Sequence, residues 1–468
     1  MNLSFRNFQR VHLIGIGGTG MSGIAEVLIS LGYSVSGSDV KTNPNVQRLR
    51  GLGATIYGGH SEEHVRGSHV VVVSSAIDPG NPEIVEGRRL KIPIIPRAEM
   101  LAELMRLKCG IAVAGAHGKT TTTSLIASVL GAADLDPTFV VGGRLNHAGT
   151  GGKLGQSEYM VVEADESDRS FLLLSPVIAV VTTIDREHLD TYKDLEEIQR
   201  TFVEFVNRVP FYGAVILCVD EPNVQAIISR VKRTVVTYGL SPQANLRVVD
   251  VQPRGFGSAF RLIYQGEDIG LFRIPTPPGE HNVRNAAAAI AVGLHLNLPV
   301  DLIRTGLEQF GGVGRRFDVK GTYGGVTLID DYAHHPAEIR STLEAARHCG
   351  FKRLLVLFQP HRYSRTKALW DDFCHAFNQA DILVITDIYS AGEKPLCCVT
   401  GARLAASILD GGQQHTIYMQ SMQEAIEELY RMACPGDAVM ALGAGSVGRA
   451  LEQLALLLGS KVPKAHAS

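Results

Sequence analysis

Residues 110–130 read GIAVAGAHGKTTTTSLIASVL, and this stretch decides the fold. A short apolar run with Ile and Val ends at Ala114, a glycine turn follows at Gly115-Ala-His-Gly118, and the residues beyond it carry a helical pattern. Strand, glycine turn and helix in that order make a phosphate-binding unit. Backbone N–H groups at the helix start cradle phosphate oxygens, Lys119 neutralises the outer phosphates, and the Thr120 hydroxyl can ligate Mg²⁺. The full motif needs a glycine where Val113 stands, so the loop is a shortened relative. A chance Gly-Lys-Thr turn is the plain alternative; strand, glycines, lysine and threonine in register weigh against it.

Outward from this loop, apolar runs alternate with helical patterns almost throughout, the signature of parallel α/β sheets. VHLIGIG, YSVSGSD, ATIYGG, VVVVSSA and IPIIPR precede it; TFVVGG, YMVVEADE, VIAVVTTID, GAVILCVD and TVVTYG follow. Between Asn245 and Ile274 strands succeed one another without helices, which predicts a small antiparallel appendage to the central domain. The glycine-rich Gly311–Arg316 reads as a hinge, after which VTLIDDY, RLLVLFQ, DILVITDIY and AVMALGAG restart the alternation. Three α/β domains are expected: a Rossmann-like one at 1–107, a central phosphate-loop ATPase type at 108–313, and a second Rossmann-like one at 314–468.

Composition narrows the function. A chain of 468 residues, 45% hydrophobic and 20% charged, can bury a core in each domain. Its formal net charge of −2 and lack of a basic run give no support to a nucleic-acid or anionic-membrane partner. No stretch approaches the roughly 20 apolar residues of a membrane span, and the N-terminal apolar run breaks into glycines, so a cytoplasmic protein is expected. The seven cysteines are scattered without a CxxC pair, which argues against zinc or redox pairs of that type; the adjacent Cys397 and Cys398 receive no role.

Further motifs stand at strand ends. Gly15-Ile-Gly-Gly-Thr-Gly20 fits a dinucleotide-type loop between strand and helix, with Asp39 ending the next strand where an acid can meet a ribose or base. On this motif alone, a packing turn and an ordinary NAD site both stay open. Glu163-Ala-Asp-Glu-Ser-Asp168 ends the strand YMVV, placing hard oxygen ligands at the ligand edge of the sheet. Asp185-Arg-Glu-His-Leu-Asp190 follows VIAVVTTI and puts His188 at a corresponding edge. Gly279-Glu-His-Asn-Val-Arg-Asn285 opens a helix and can read an adenine edge, or Asn282 can simply cap it. In the third domain, Asp330-Asp-Tyr-Ala-His-His-Pro336 and Gln359-Pro-His-Arg-Tyr-Ser-Arg365 are read as neighbouring strand-end loops. Their Tyr332, His334, Arg362 and Arg365 would form a carboxylate pocket, since guanidinium forks grip carboxylates.

Taken in order, GIGGTGMSGIA, AHGKTTTT, VVEADESD, REHLDTY, PGEHNVRNA, GRRFD, DDYAHHP and FQPHRYSRT make the chain resemble the Mur ligases over essentially its whole length, and within them the alanine-adding branch. The resemblance implies ATP-dependent ligation of L-alanine to the lactyl carboxylate of UDP-N-acetylmuramate through an acyl phosphate, in a monomer or homodimer. It assigns Gly17, Gly18, Thr19, Asp39, Ser74, Ser75 and His117 to the UDP-sugar. Gly115, His117, Gly118, Lys119, Thr120, Thr121, His281, Asn282, Asn285, Arg316 and Asp331 would hold ATP, and Thr120, Glu163 and His188 the Mg²⁺. Tyr332, His334, Arg362 and Arg365 would take the amino acid, with Lys119, Glu163, His188 and His334 at the chemistry. Three positions depart from the family pattern: Ala116 for threonine, Thr183 for asparagine and Glu187 for aspartate. Val203 stands where sister ligases carry a carboxylated lysine, so no such modification is expected. Because the ligands fall on separate domains, closure is expected to assemble the site. The alternatives are a murein tripeptide recycling ligase, disfavoured by FQPHRYSRT, an NAD-dependent oxidoreductase, which leaves Lys119 idle, and a non-catalytic nucleotide-binding regulator.

Overall fold

The structure, a computed structural model, describes residues 8–74, 76–145, 149–188, 191–275 and 278–459, with only the backbone at position 144. The chain forms two compact units. One comprises Met1–Val251, Phe260–Ile274 and Val283–Gly311; the other comprises Gln252–Ala259, Pro275–Asn282 and Gly312–Ser468.

The first sheet contains β1 (Arg10–Ile14), β2 (Ser34–Asp39), β3 (Thr55–Gly58), β4 (Val70–Val73) and β5 (Ile94–Pro96), in the order β3-β2-β1-β4-β5 and parallel throughout. The chain leaves β1 for β2 on one side and reaches β4 on the other. The order therefore reverses at β1, and a crevice opens above its carboxyl end. On one face of this sheet, buried Glu83 accepts hydrogen bonds from Ser38 Oγ at 2.6 Å, His64 Nδ1 at 2.8 Å and His60 Nδ1 at 3.0 Å, with His12 Nε2 at 3.4 Å.

The second sheet has ten strands: β6 (Cys109–Ala114), β7 (Thr138–Leu145), β8 (Thr150–Lys153), β9 (Tyr159–Glu163), β10 (Ile178–Val181), β11 (Ala214–Cys218), β12 (Thr234–Gly239), β13 (Leu246–Arg254), β14 (Gly257–Tyr264) and β15 (Glu267–Ile274). They lie in the order β15-β14-β13-β12-β11-β10-β6-β9-β7-β8. β6 is flanked by β9 and β10, both parallel to it. Two-residue links join β13 to β14 and β14 to β15, which only antiparallel neighbours allow. That is the predicted appendage.

Both sheets share an apolar core, and a seam of glycines brings them together. The helix Thr19–Ser30 packs Gly23 against β8, where a Cβ on Gly23 would come within 3.0 Å of the Gly151 carbonyl oxygen, and one on Gly152 would strike the Gly23 backbone. Beside the seam, Glu26 pairs with Arg48 at 3.2 Å and accepts from the Thr150 hydroxyl.

The third sheet contains β16 (Asp318–Tyr323), β17 (Val326–Asp331), β18 (Leu354–Phe358), β19 (Ile382–Ile385), β20 (Thr416–Tyr418) and β21 (Ala438–Leu442), in the order β16-β17-β21-β18-β19-β20. Leu354, Val356 and Phe358 pack to one side, Leu355 and Leu357 to the other, as a sheet covered on both faces requires. Here the sequence reading needs correction: β17 and β18 are not adjacent, because β21 lies between them and pairs with both. Among the described residues no helix is long and apolar enough to cross a membrane.

Candidate active site

Above β1 the glycine-rich turn is held by its own neighbours. Gly17 N donates to Asp39 Oδ2 at 2.9 Å, and Gly17 O accepts from Asn43 Nδ2 at 3.0 Å. A Cβ at Gly17 would press on Asp39, Asn43 and Val46, so only glycine lets the strand-end acid close over the turn. Gly18 caps the helix that begins at Thr19. Ser74, just past β4, faces Gly15 across the crevice. Ser75 lies outside the described residues, as does Asp190.

The phosphate loop leaves β6 between two other strand ends. β9 ends in Glu163 opposite Val113, and β10 is followed by Thr182, Thr183 and the turn that bears His188. The turn is tied to that second flank: His117 N donates to Thr183 Oγ1 at 2.8 Å, and Ala116 N to Thr183 O at 3.1 Å. Thr183, one of the departures from the family pattern, thus braces the loop. Gly115 needs its positive φ and its bareness, since a Cβ there would collide with Thr182 Oγ1. Lys119, Thr120 and the partly exposed Thr121 form the first helical turn.

Lys119 and Glu166 form the centre of this cluster. Lys119 Nζ is 2.9 Å from each Glu166 carboxylate oxygen and 2.6 Å from Gly115 O. Burial opposes the ammonium, but the carboxylates of Glu166, Asp165 and Glu163 outweigh it and hold Lys119 above the ordinary lysine range. His188 Nε2 lies 3.4 Å from the same Glu166 and 3.6 Å from Glu187. Burial works against its proton too, yet these acids raise it above the usual histidine range. His188 has a φ of 55°, a left-handed conformation of the kind that collects at functional sites. Thr120 Oγ1 donates to one oxygen of Glu163, while Gly142 N donates to the other. Two hard oxygen donors therefore meet at one spot, as a Mg²⁺ site needs.

Sequence reasoning passed over Glu166 as one of several acids in its loop. What singles it out is that it is 3% exposed and stands against both Lys119 and His188, which only the fold reveals. Asn285, buried on the helix Glu280–His295, accepts from Thr122 Oγ1 at 3.2 Å and leaves no room for a Cβ on Gly118.

In the other unit, Asn282 sits in the first turn of that same helix and does not cap it, since the helix starts two residues earlier. His281 packs its ring on Gly279. At the end of β17, buried Asp331 accepts from Phe317 N at 2.6 Å and Ala333 N at 2.7 Å, binding the GRRFD and DDYAHHP segments together. Burial raises its carboxyl to about 6 against the pull of Arg316 and those two amides. Arg315 and Arg316 lie over the Tyr332 ring at 5.0 and 5.3 Å. Arg316 also stands 3.6 Å from Glu338, and Arg315 donates to Gly443 O at 2.6 Å, filling the gap above β21.

From Tyr332 an aromatic row runs through His334 and His361 to Tyr389, with centroid spacings of 5.2, 6.0 and 5.5 Å. His334 Nδ1 lies 2.9 Å from Tyr332 O, and because a carbonyl can only accept, that nitrogen carries the hydrogen and Nε2 keeps its lone pair. Burial lowers His334 to about 4, so the ring is neutral near pH 7. Arg365 Nη1 donates to His361 Nδ1 at 3.2 Å, and Arg362 pairs through Nε with Glu393 at 2.8 Å. His361 and Glu393 were not singled out from the sequence. The first lies within Gln359–Arg365, the second in a loop that no pattern connects to it.

Three family models follow one another along the chain. They are described as Mur ligase family, catalytic domain, over residues 10–109; Mur ligase middle domain, over 113–293; and Mur ligase, glutamate ligase domain, over 315–445. The chain belongs to the Mur ligase family. This Mur ligase is 53% identical over 447 residues to the UDP-N-acetylmuramate–L-alanine ligase of Solibacter usitatus (strain Ellin6076), covering 95% of the chain and 94% of the relative. A solved UDP-N-acetylmuramate-alanine ligase from Thermotoga maritima matches with a TM-score of 0.83 at 26% identity, covering 95% of this chain and 98% of that one. A murein peptide ligase from Psychrobacter arcticus 273-4 shares the fold at a TM-score of 0.73 and 23% identity, covering 97% and 99%. The glycine turn after β6, the acidic strand end and the aromatic row thus sit in the three-domain α/β fold of Mur ligases.

Proposed function

We propose that this Mur ligase joins L-alanine to the lactyl carboxylate of UDP-N-acetylmuramate, converting ATP to ADP and phosphate, in the making of peptidoglycan precursors. The observation that carries the reading is 53% identity, over nearly the full length of both chains, to the Solibacter usitatus ligase of that name. The domains are taken as 1–107, 108–313 and 314–468, serving the UDP-sugar, ATP and alanine in turn.

A carboxylate is a poor electrophile, so its oxygen must first become part of a leaving group. The lactyl oxygen attacks the γ-phosphorus and the bond to ADP breaks. Lys119, released from Glu166 to the phosphates, stabilises the charge on the transferred group. Thr120, Glu163 and His188 would hold a Mg²⁺, which when bound would neutralise phosphate charge alongside the lysine. The alanine amine then attacks the acyl carbon, the C–N bond forms, and phosphate leaves. The amine's surplus proton needs an acceptor, and the neutral His334, with its lone pair on Nε2, is suited to take it. Arg365, beside His361 and His334, would grip the alanine carboxylate, while Arg362 supports the pocket from its pair with Glu393.

Gly17, Gly18, Thr19, Asp39, Ser74 and His117 are assigned to the UDP-sugar, and Asn285 with His281 and Asn282 to the adenine side. ATP and the nucleotide sugar are cytosolic metabolites, so the reading carries a cytoplasmic location with it, in a monomer or homodimer. The test is ADP release with UDP-N-acetylmuramate and alanine, glycine, serine or murein tripeptide offered separately. Alanine should drive release most efficiently. Release driven by tripeptide, with alanine silent, would overturn the reading in favour of the recycling ligase.

A further inference from the structure

Away from this chemistry, the backbone prepares one pair of reactive side chains. Cys397 and Cys398 are both exposed, in the segment between β19 and the helix Gly401–Asp410. Successive side chains of an extended chain point to opposite sides. Cys398 instead has a φ of 64°, in the left-handed region, and its Sγ lies 3.3 Å from that of Cys397. A non-glycine residue enters that region only where its surroundings hold it there. Here Arg403 donates to the Cys398 carbonyl at 3.2 Å, Val399 is buried, and Thr400 caps the helix by accepting from Arg403 N. The Cys397 thiol and the Arg403 guanidinium beside it keep the Cys398 thiol below the ordinary cysteine range, and the thiolate is the reactive form.

The same segment is anchored in the amino-acid pocket. Glu393, four residues before Cys397, accepts from Ser364 N at 3.0 Å and Ser364 Oγ at 2.5 Å, and pairs with Arg362. It thereby fixes the start of the short helix Tyr363–Ala368, which also carries Arg365.

We propose that Cys397 and Cys398 are a redox modification site, in which a peroxide converts the vicinal dithiol to a disulfide that loosens Glu393 from Ser364 and Arg362. The Cys398 thiolate attacks one peroxide oxygen, the O–O bond breaks, and the hydroxide or alkoxide that leaves takes a proton from solvent as Cys398 becomes a sulfenic acid. The Cys397 thiol then attacks that sulfur, the S–S bond forms, and water departs with the thiol proton. A dithiol reductant reverses the oxidation. The sulfurs need to approach by only about 1 Å to reach bonding distance, and the ring they close fixes the backbone between them. The consequence for alanine rests on the reading of Arg362 and Arg365 given above; the thiol chemistry does not.

The test uses the full chain carrying Cys434→Ser, which leaves this pair as its exposed thiols. Hydrogen peroxide should remove two titratable thiols per chain, lower the intact mass by two hydrogens, and speed hydrogen exchange at the Ser364 amide. The KM for alanine should rise severalfold with that for ATP unchanged, dithiothreitol should restore every value, and Cys397→Ser should abolish all of these responses. Oxygen added to one sulfur, a disulfide between chains, or a disulfide with unchanged Ser364 exchange would overturn the proposal. A reduced protein without alanine-dependent ADP release would mark failure of the functional reading instead, with the thiol and exchange measurements still deciding the redox site.

Discussion

Lys119→Met removes the ammonium and leaves the Glu166 carboxylate, 3% exposed, with His188 still beside it at 3.4 Å. Glu166→Gln does the reverse, leaving a lysine without its bidentate acceptor. Removing one member of a buried ion pair typically costs about 3–5 kcal/mol, because the other charge stays desolvated. Since His188 stays near Glu166 and Gly115 O near Lys119, we expect the lower end, about 3 kcal/mol for each single change. For the domain that carries the ten-stranded sheet, this corresponds to a fall in Tm of roughly 6–12 °C. The double variant Lys119→Met/Glu166→Gln removes both charges together, so its loss should stay near that of either single variant rather than near their sum. The coupling should therefore approach about 3 kcal/mol. Urea unfolding of the four proteins without nucleotide, followed through the transition of that domain, measures it. The pair is largely shielded from solvent, so moderate salt should leave the coupling in place. Additive single effects would refute the claim that Glu166 and Lys119 answer one another, and with it the picture of a lysine that must exchange a carboxylate for phosphate. ADP release should vanish in Lys119→Met whatever the stability result.

Glu163→Ala and His188→Ala should each raise the Mg²⁺ concentration for half-maximal activity, and a Mg²⁺ dependence equal to the parent's would return that residue to a structural role. Arg365→Ala should raise the KM for alanine about 10- to 150-fold, the worth of one charge-assisted hydrogen bond, with Arg362→Ala weaker because Glu393 already holds that guanidinium. Equal losses for all three substrates would argue against an alanine pocket. Burial alone would raise Glu83, but the neighbouring His12 and hydrogen bonds from Ser38 and His64 hold it at about 2, well below its ordinary 4.5. Its contribution, about 3 kcal/mol, is therefore present in full above pH 4.5 and is lost as pH falls towards 2. Acid unfolding of Glu83→Gln should lack that slope; an unchanged acid limb would show that the cluster does not stabilise the ionised carboxylate.

Strand, turn and helix at residues 110–130 were legible because local pattern and tertiary role agree there. The same holds for the fully buried runs that became β11, β18 and β21. β8 was not legible: Thr150-Gly-Gly-Lys153 has no apolar run, and it is a strand because β7 pairs with it and a helix backbone lies against it. β16, paired antiparallel to β17 with an exposed and irregular face, gave no signal either. The insertion of β21 between β17 and β18 is set by long crossovers that leave no mark on any short segment. In the site, Lys119, Glu163 and His188 could be reached by strand-end logic. Glu166, Thr183 and Glu393 could not, since each owes its role to a partner far away in the chain.

The glycine seam between the helix Thr19–Ser30 and β8 works as a fixed spacer. Side-chain contacts can slip by a rotamer, but Gly23, Gly151 and Gly152 meet main chain to main chain, and nothing between them can be compressed or repacked. The helix that begins at the glycine-rich crevice turn is thus set at a constant distance from β8. From there β7 carries the constraint to Glu163, through the amide of Gly142. The separation between the glycine-rich crevice and the acidic strand end is in effect a length written in backbone atoms. Sequence drift in the surrounding cores can alter the stability of either sheet while leaving that length untouched.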